Sequence, residues 1–254
     1  MPDLAKLTWP EAAELFGPRT VAILPIGSTE PHGPHLPLDT DVTIALAQSR
    51  RAAGKLEAAG VPTVVLPVLP YGITYWTDGF AGRITLRPGT LWSLLEDLVM
   101  SLEQDGIRHI VFANGHLEPA HVQALRGVAM DHAQRTKERA QVLFVDVTRR
   151  ANAAKLGEEF QSGDCHAGRY ESSLVLAADP DAVRDRARRE LPKVKIDLLE
   201  KMKAGATSFA KSGAEQAYCG DPAAASAEEG EDLIERLADM ISGACRDTWP
   251  DLFE

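Results

Sequence analysis

Short apolar, β-branched runs alternate with longer helical patterns along all 254 residues, and this alternation restricts the chain more than any other feature. Val21–Ile26, Pro62–Val68, Ile107–Ala113 and Gln141–Val147 read as strands. Val42–Ala59, Leu91–Gln104, Pro119–Lys137, Glu171–Ala178 and Ala227–Cys245 read as helices. The runs are close to continuously apolar rather than alternating, which suits strands covered on both faces. The expected fold class is therefore α/β, a three-layer α/β/α sandwich with a mainly parallel central sheet. Local signals agree: Asp105-Gly106 reads as a helix C-cap, and Asp179-Pro180 stops the helix before it. There is no internal repeat and no low-complexity linker, so residues 1–254 read as a single domain. Lys193–Cys219 is the least patterned stretch and is expected to be an oligomer contact or a flap.

In open parallel sheets, ligands bind at the carboxyl ends of the strands. Two chemically unusual loops fall there. The first strand runs into Gly27-Ser28-Thr29-Glu30-Pro31-His32-Gly33, and the third into Asn114-Gly115-His116-Leu117-Glu118. Prolines 31, 34 and 37 keep the first loop extended, so Glu30 and His32 point the same way. Asp41, at the start of the next helix, can bridge two cations; the alternative is that it only caps that helix. His116 is a good ligand as a neutral imidazole. Glu118 is either a further ligand or a charge stabilising the helix that Pro119 begins. A third segment, Asp164-Cys165-His166-Ala167-Gly168-Arg169-Tyr170-Glu171, adds His166 and Glu171, which alone read as surface or supporting groups and gain an acid–base meaning only beside the first two segments. Trp76 follows a strand end and either covers the substrate or packs in the core. His109, His121 and His132 read as packed or surface residues, and His35 as a group outside the ligand set.

Imidazoles with carboxylates suit two divalent cations, Zn²⁺ and/or Mn²⁺. Such a pair, roughly 3.5–4 Å apart, acidifies a shared water and polarises a carbonyl, which points to hydrolysis of a C–N bond. Cys165, Cys219 and Cys245 are scattered and form no C-x-x-C, which excludes a cysteine-rich zinc site and fits a cytoplasmic protein. The formal net charge of -10 argues against nucleic acid or an anionic membrane as partner but does not identify the substrate; the hydrolytic chemistry suggests a small molecule. The sequence shows no signal peptide or membrane span. It also lacks a P-loop, a G-x-G-x-x-G after the first strand and a G-x-S-x-G elbow.

Pro25-Ile26-Gly27-Ser28-Thr29-Glu30-Pro31-His32-Gly33-Pro34-His35-Leu36-Pro37 with Asp41 resembles the creatininase, or creatinine amidohydrolase, family. So do Tyr71-Gly72, Gly79–Leu86, Asn114-Gly115-His116, His166-Ala167-Gly168 with Glu171-Ser172-Ser173, and Gly220-Asp221-Pro222. The resemblance implies a two-metal amidohydrolase, often hexameric, that acts on a cyclic amide, formamide or related carbonyl compound. It implies Glu30 and His116 on one metal, His32 and Glu118 on the other, and Asp41 between them. In relatives with Gly-His-Gly-Gly-Asn at this place, a glutamate matching Glu171 takes the second site. His166 is implied to contact substrate and move protons, with Glu118 and Glu171 as further catalytic acids. Thr74, Trp76 and Leu117 are implied at the substrate. Pro31 stands where glutamine is usual, Leu117 replaces an aromatic, and Gln161-Ser162-Gly163-Asp164 lacks a tryptophan, so flat creatinine should be held poorly. Relatives also include a peptidase trimming a modified peptide and deformylases of formylaminopyrimidine nucleotides, which are alternative readings. A metal-binding oligomer without catalysis is a third.

Overall fold

The computed structural model describes residues 2–133, 135–136 and 138–254. Four strands, β1 (Val21–Ile26), β2 (Thr63–Val65), β3 (His109–Asn114) and β4 (Gln141–Phe144), form one sheet in the order β2-β1-β3-β4, with every ladder parallel. The helices are α1 (Trp9–Leu15), α2 (Thr40–Ala58), α3 (Pro88–Gln104), α4 (Pro119–Ala133), α5 (Arg150–Ala153), α6 (Glu158–Ser162), α7 (Arg169–Ala178), α8 (Asp185–Glu190), α9 (Leu198–Lys203), α10 (Phe209–Ser212) and α11 (Ala227–Thr248). The expected end of α4 at Lys137 lies outside the described residues.

Side chains alternate across β1, and the two sets are buried against different helices. Ala22, Leu24 and Ile26 join Ile110 and Phe112 against Leu91, Leu95 and Val99 of α3 and Leu125 and Val128 of α4. Val21 and Ile23 join Val111 and Ala113 against Ala52, Ala53 and Leu56 of α2 and Ala238, Ile241 and Cys245 of α11. These are the three layers the sequence predicts. Each fully buried Ile, Leu or Phe contributes about 1.5–3 kcal/mol.

The two edge strands are shorter than expected, for identifiable reasons. Beyond β2, Pro67 has no N–H to donate, and the ladder resumes only as an isolated pairing of Ile26 with Leu69. Beyond β4, Asp146 turns its carboxylate onto Thr148 and Arg126 and ends the pairing.

The strand order creates the crevice. Helix α2, which follows β1, lies on one face of the sheet, and α4, which follows β3, lies on the other. β1 and β3 are neighbours, so their carboxyl ends form a topological switch point. Ile26 pairs with Asn114 there, and Gly115 N–H donates to the Ile26 carbonyl (2.8 Å).

Candidate metal centre

Two glycines let the N-terminus of α2 press against this crevice. A Cβ on Gly27 would stand 2.6 Å from Val42 N, and one on Gly115 would stand 2.3 Å from the Asp41 carbonyl oxygen. Gly115→Ala is therefore expected to push α2 away and destabilise the chain by about 1–3 kcal/mol. Thermal unfolding and metal content together check this, and a variant with native values for both would show that the contact is unimportant.

With α2 so placed, Asp41 does not act as the helix cap. Asp39 occupies that position, and the Asp41 side chain turns into the protein. Its two oxygens face two different histidines: Oδ1 lies 3.1 Å from His32 Nε2, and Oδ2 lies 2.9 Å from His116 Nδ1. Glu30 Oε1 stands 3.2 Å from His116 Nδ1 and 4.0 Å from His32 Nε2. Glu171 Oε2 approaches His32 Nε2 to 3.5 Å. All five residues are buried.

Backbone carbonyls fix the imidazoles. His116 Nε2 lies 2.7 Å from the Ile73 carbonyl and His32 Nδ1 lies 3.1 Å from the Glu30 carbonyl. A carbonyl only accepts, so those nitrogens carry the protons. In the neutral rings, His116 Nδ1 and His32 Nε2 are then lone pairs aimed at carboxylates. His32 Nε2 and Asp41 Oδ2 have no hydrogen-bond partner despite their burial. Lone pairs facing carboxylates in a dry interior need a cation between them. Oriented imidazoles, each held by its other nitrogen, are the usual arrangement of metal-binding histidines. Ligand atoms lie within 4.8 Å of one another in three overlapping groups: Glu30–Asp41–His116, His32–Asp41–Glu171 and Glu30–His32–His166. The donor set therefore fits divalent cations. A proton is the only substitute the chain itself supplies. Burial opposes charge on His32, but Asp41, Glu171 and Glu30 overcome it and raise its pKa to about 10. His116 is likewise lifted by Glu30 and Asp41 against its burial.

Glu118 lies outside these groups. Its Oε2 accepts a hydrogen bond from Trp76 N–H (3.1 Å), and burial pushes its pKa up to about 7. Burial also raises Glu171 to about 8, although Oε2 accepts from Ala167 N–H at 2.6 Å. His166 donates from Nε2 to the Pro31 carbonyl (3.0 Å), and burial lowers its pKa to about 4. Trp76, Leu117, Glu118, His166 and Glu171 all line a cavity of about 350 Å³ that opens onto Glu30, Asp41 and His116. Thr74 is fully buried, its hydroxyl has no hydrogen-bond partner, and it is not among the cavity walls. His35 bonds Ser172 (2.9 Å) and His132 bonds Glu96 (3.0 Å), and neither belongs to a ligand group.

Three contributors escaped the sequence reading. Thr77 donates its hydroxyl to Glu30 Oε2 (3.1 Å). His121, expected to be a packed or surface residue, accepts Ile73 N–H on Nδ1 (3.3 Å) and reaches Asn114 Oδ1 with Nε2 (3.1 Å), so it holds the peptide that orients His116. Phe209 stacks on His166 with centroids 4.1 Å apart and an interplanar angle of 14°. Phe209 lies in the unpatterned stretch 193–219, where nothing in the sequence marks it. That stretch folds over the cavity: Phe209 N–H donates to the Trp76 carbonyl (2.8 Å), and Asp164 accepts three N–H groups, from Ile196, Asp197 and Leu198. Among the described residues, no helix is long and apolar enough to cross a membrane.

Comparison with known proteins agrees with this architecture. A solved structure described as "Creatininase Mn" superposes with a TM-score of 0.72 at 24% identity, covering 97% of this chain and 98% of that one. A mycofactocin precursor peptide peptidase of Mycolicibacterium smegmatis is 33% identical over 232 residues, 89% of this chain and 83% of that protein. A creatinine amidohydrolase of Pseudomonas putida is 27% identical over an alignment of 280 residues, 97% of each chain. The family model for creatininase, creatinine amidohydrolase, matches residues 5–245. With that match running from the first helix through most of α11, the chain belongs to the creatininase family of metal-dependent hydrolases.

Proposed function

We propose that the chain hydrolyses an amide C–N bond using two divalent cations, Zn²⁺ and/or Mn²⁺, with Asp41 shared between them. Glu30 and His116 would hold one cation and His32 and Glu171 the other. The single observation that carries this reading is the split of Asp41, whose two oxygens each face a different histidine and its accompanying glutamate. When bound, such cations lower the pKa of a water and polarise a carbonyl oxygen.

The chain's own groups supply the rest. Glu118, whose pKa is pushed to about 7, holds a proton close to neutral pH and can pass it to the leaving nitrogen. His166 lies within ligand distance of Glu30 and His32, and with Nε2–H committed to the Pro31 carbonyl its Nδ1 is the nitrogen left free to accept a proton. Trp76 and Phe209 pack edge-to-face at 5.7 Å and keep water from this end of the cavity.

The peptidase reading is favoured over creatinine by the cavity's reach. Besides the ligand residues, the cavity of about 350 Å³ is lined by Leu117, Val122, Phe160, Leu198 and Met202, more apolar wall than a small ring needs. The names of the relatives are consistent with either substrate.

Metal analysis and a substrate panel test the proposal. The expected result is two equivalents of metal per chain and release of amine from blocked peptides, abolished by chelation and restored by Zn²⁺ or Mn²⁺. Full metal content with no turnover of peptides, cyclic amides or formamides would leave a metal-binding protein without this chemistry.

A further inference from the structure

The cavity wall has a polarity that the metal centre does not account for. Beside the ligand cluster it is acidic, with Glu30, Asp41, Glu118 and Glu171. The rest of its lining is largely apolar, with Leu117, Val122, Phe160, Leu198, Met202 and Phe209. Among the described residues it contains one lysine or arginine, Arg126. Pro119, Val122, Gln123 and Arg126 all line it, a spacing that places them on one face of α4. The helix starts beside Glu118 and leads away from it. Arg126 therefore sits about 12 Å along the axis from Glu118, eight residues at 1.5 Å each.

Arg126 is held rather than loose. Nε donates to Asp146 Oδ2 (2.6 Å) and Nη2 to Thr148 Oγ1 (2.9 Å). Asp146 is only 3% exposed and is itself fixed through Oδ1 by the Thr148 N–H (3.0 Å) and hydroxyl (2.6 Å). Arg149 also approaches the same carboxylate (Nε 3.5 Å from Oδ2), so two guanidinium groups share one negative charge and leave a local excess of one positive. Nη1 of Arg126 has no hydrogen-bond partner among the described residues. A planar guanidinium fixed on one edge and open on the other is suited to a carboxylate.

We infer that Arg126 is a specificity-determining residue that reads a terminal carboxylate on the substrate. The substrate class is an amide whose leaving portion is apolar and ends in an anion about two residues from the bond that is cut, as at the free C-terminus of a peptide. An extended dipeptide spans about 7 Å, and the side chains of Glu118 and Arg126 close the remaining distance. In a chain of net charge -10, a local cation favours the entry of a carboxylate. The inference rests on the amide-hydrolase reading for its place in a reaction, but it is a statement about binding.

Calorimetry on the metal-loaded full chain tests it with leucyl-phenylalanine, its C-terminal carboxamide and glycyl-glycine. Leucyl-phenylalanine should bind at least about tenfold more tightly than the carboxamide, and more tightly than glycyl-glycine by a similar factor. Arg126→Gln should bring the acid down to the carboxamide, leave the carboxamide unchanged, and keep the native metal content. Equal affinities for acid and carboxamide in the native chain would overturn the inference without recourse to any variant, so a poorly folding Arg126→Gln does not protect it. A preference that survives in Arg126→Gln would also overturn it, because the carboxylate would then be read by the metal centre. Amide turnover is measured separately. Hydrolysis without the carboxylate preference sinks this inference alone, and the preference without hydrolysis sinks only the reaction.

Discussion

Asp41→Ala is expected to lose both metal equivalents, and activity with them, by a factor on the order of 10³ or more. The size follows from the position of the side chain. Each oxygen faces a different imidazole, so removing the carboxylate takes one ligand from the Glu30–Asp41–His116 group and one from the His32–Asp41–Glu171 group at once. Charge compounds the loss. Glu30, Asp41 and Glu171 are the carboxylates that draw cations to His32 and His116, and Asp41 is the one that comes within 3.1 Å of both. Stabilisation of developing charge by bound cations is worth several kcal/mol, and each 1.36 kcal/mol is tenfold in rate. The fold should persist, because Asp41 lies at the first turn of α2 while the helix is anchored farther along by Ala52, Ala53 and Leu56 in the core. Elemental analysis beside circular dichroism separates these outcomes. A folded Asp41→Ala chain that still holds two metals would remove the shared-carboxylate assignment.

The fold and half of the site were legible in the sequence because both depend on local pattern. β1 and β3 are buried on both faces and show it as continuous apolar runs, and the glycine-containing loops after them lie at strand ends by the same pattern. Edge strands were less legible. Pro67 and Asp146 end β2 and β4 early through hydrogen bonding that a run of apolar residues does not reveal. The partnership of His32 was the main ambiguity. Glu118 and Glu171 are each plausible beside it, and the choice depends on how α7 packs against α2, a contact between segments more than a hundred residues apart. Ala167 contributes to that packing with a positive φ of 48°, a conformation rare outside glycine, which turns its N–H onto Glu171. Neither the strain nor the hydrogen bond is visible in His166-Ala167-Gly168 as letters. Phe209 and Arg126 were missed for a related reason. Each is an ordinary residue until the tertiary structure brings it to the cavity.

Glu118→Gln is the variant that decides between the two ways of completing the second cation site. Glu118 is drawn to the 74–77 loop by the Trp76 N–H, and it stands outside the groups of close ligand atoms. Burial keeps its proton to about pH 7, as a general acid for a leaving amine requires. Glutamine preserves the size of the side chain and an oxygen to accept from Trp76, and removes only the ionisable proton. The expected outcome is native metal content with turnover reduced about 10²–10⁴-fold, the usual contribution of a positioned acid or base. Glu171→Gln should behave oppositely, because Glu171 faces His32 and Asp41 and its loss weakens one cation site while Glu30, Asp41 and His116 keep the other. One metal equivalent should then remain. Elemental analysis of the two variants gives a clear exchange of outcomes. If Glu118→Gln loses one equivalent while Glu171→Gln retains both, then Glu118 is the ligand, and the proton carried to the leaving nitrogen must come from His166 or Glu171 instead.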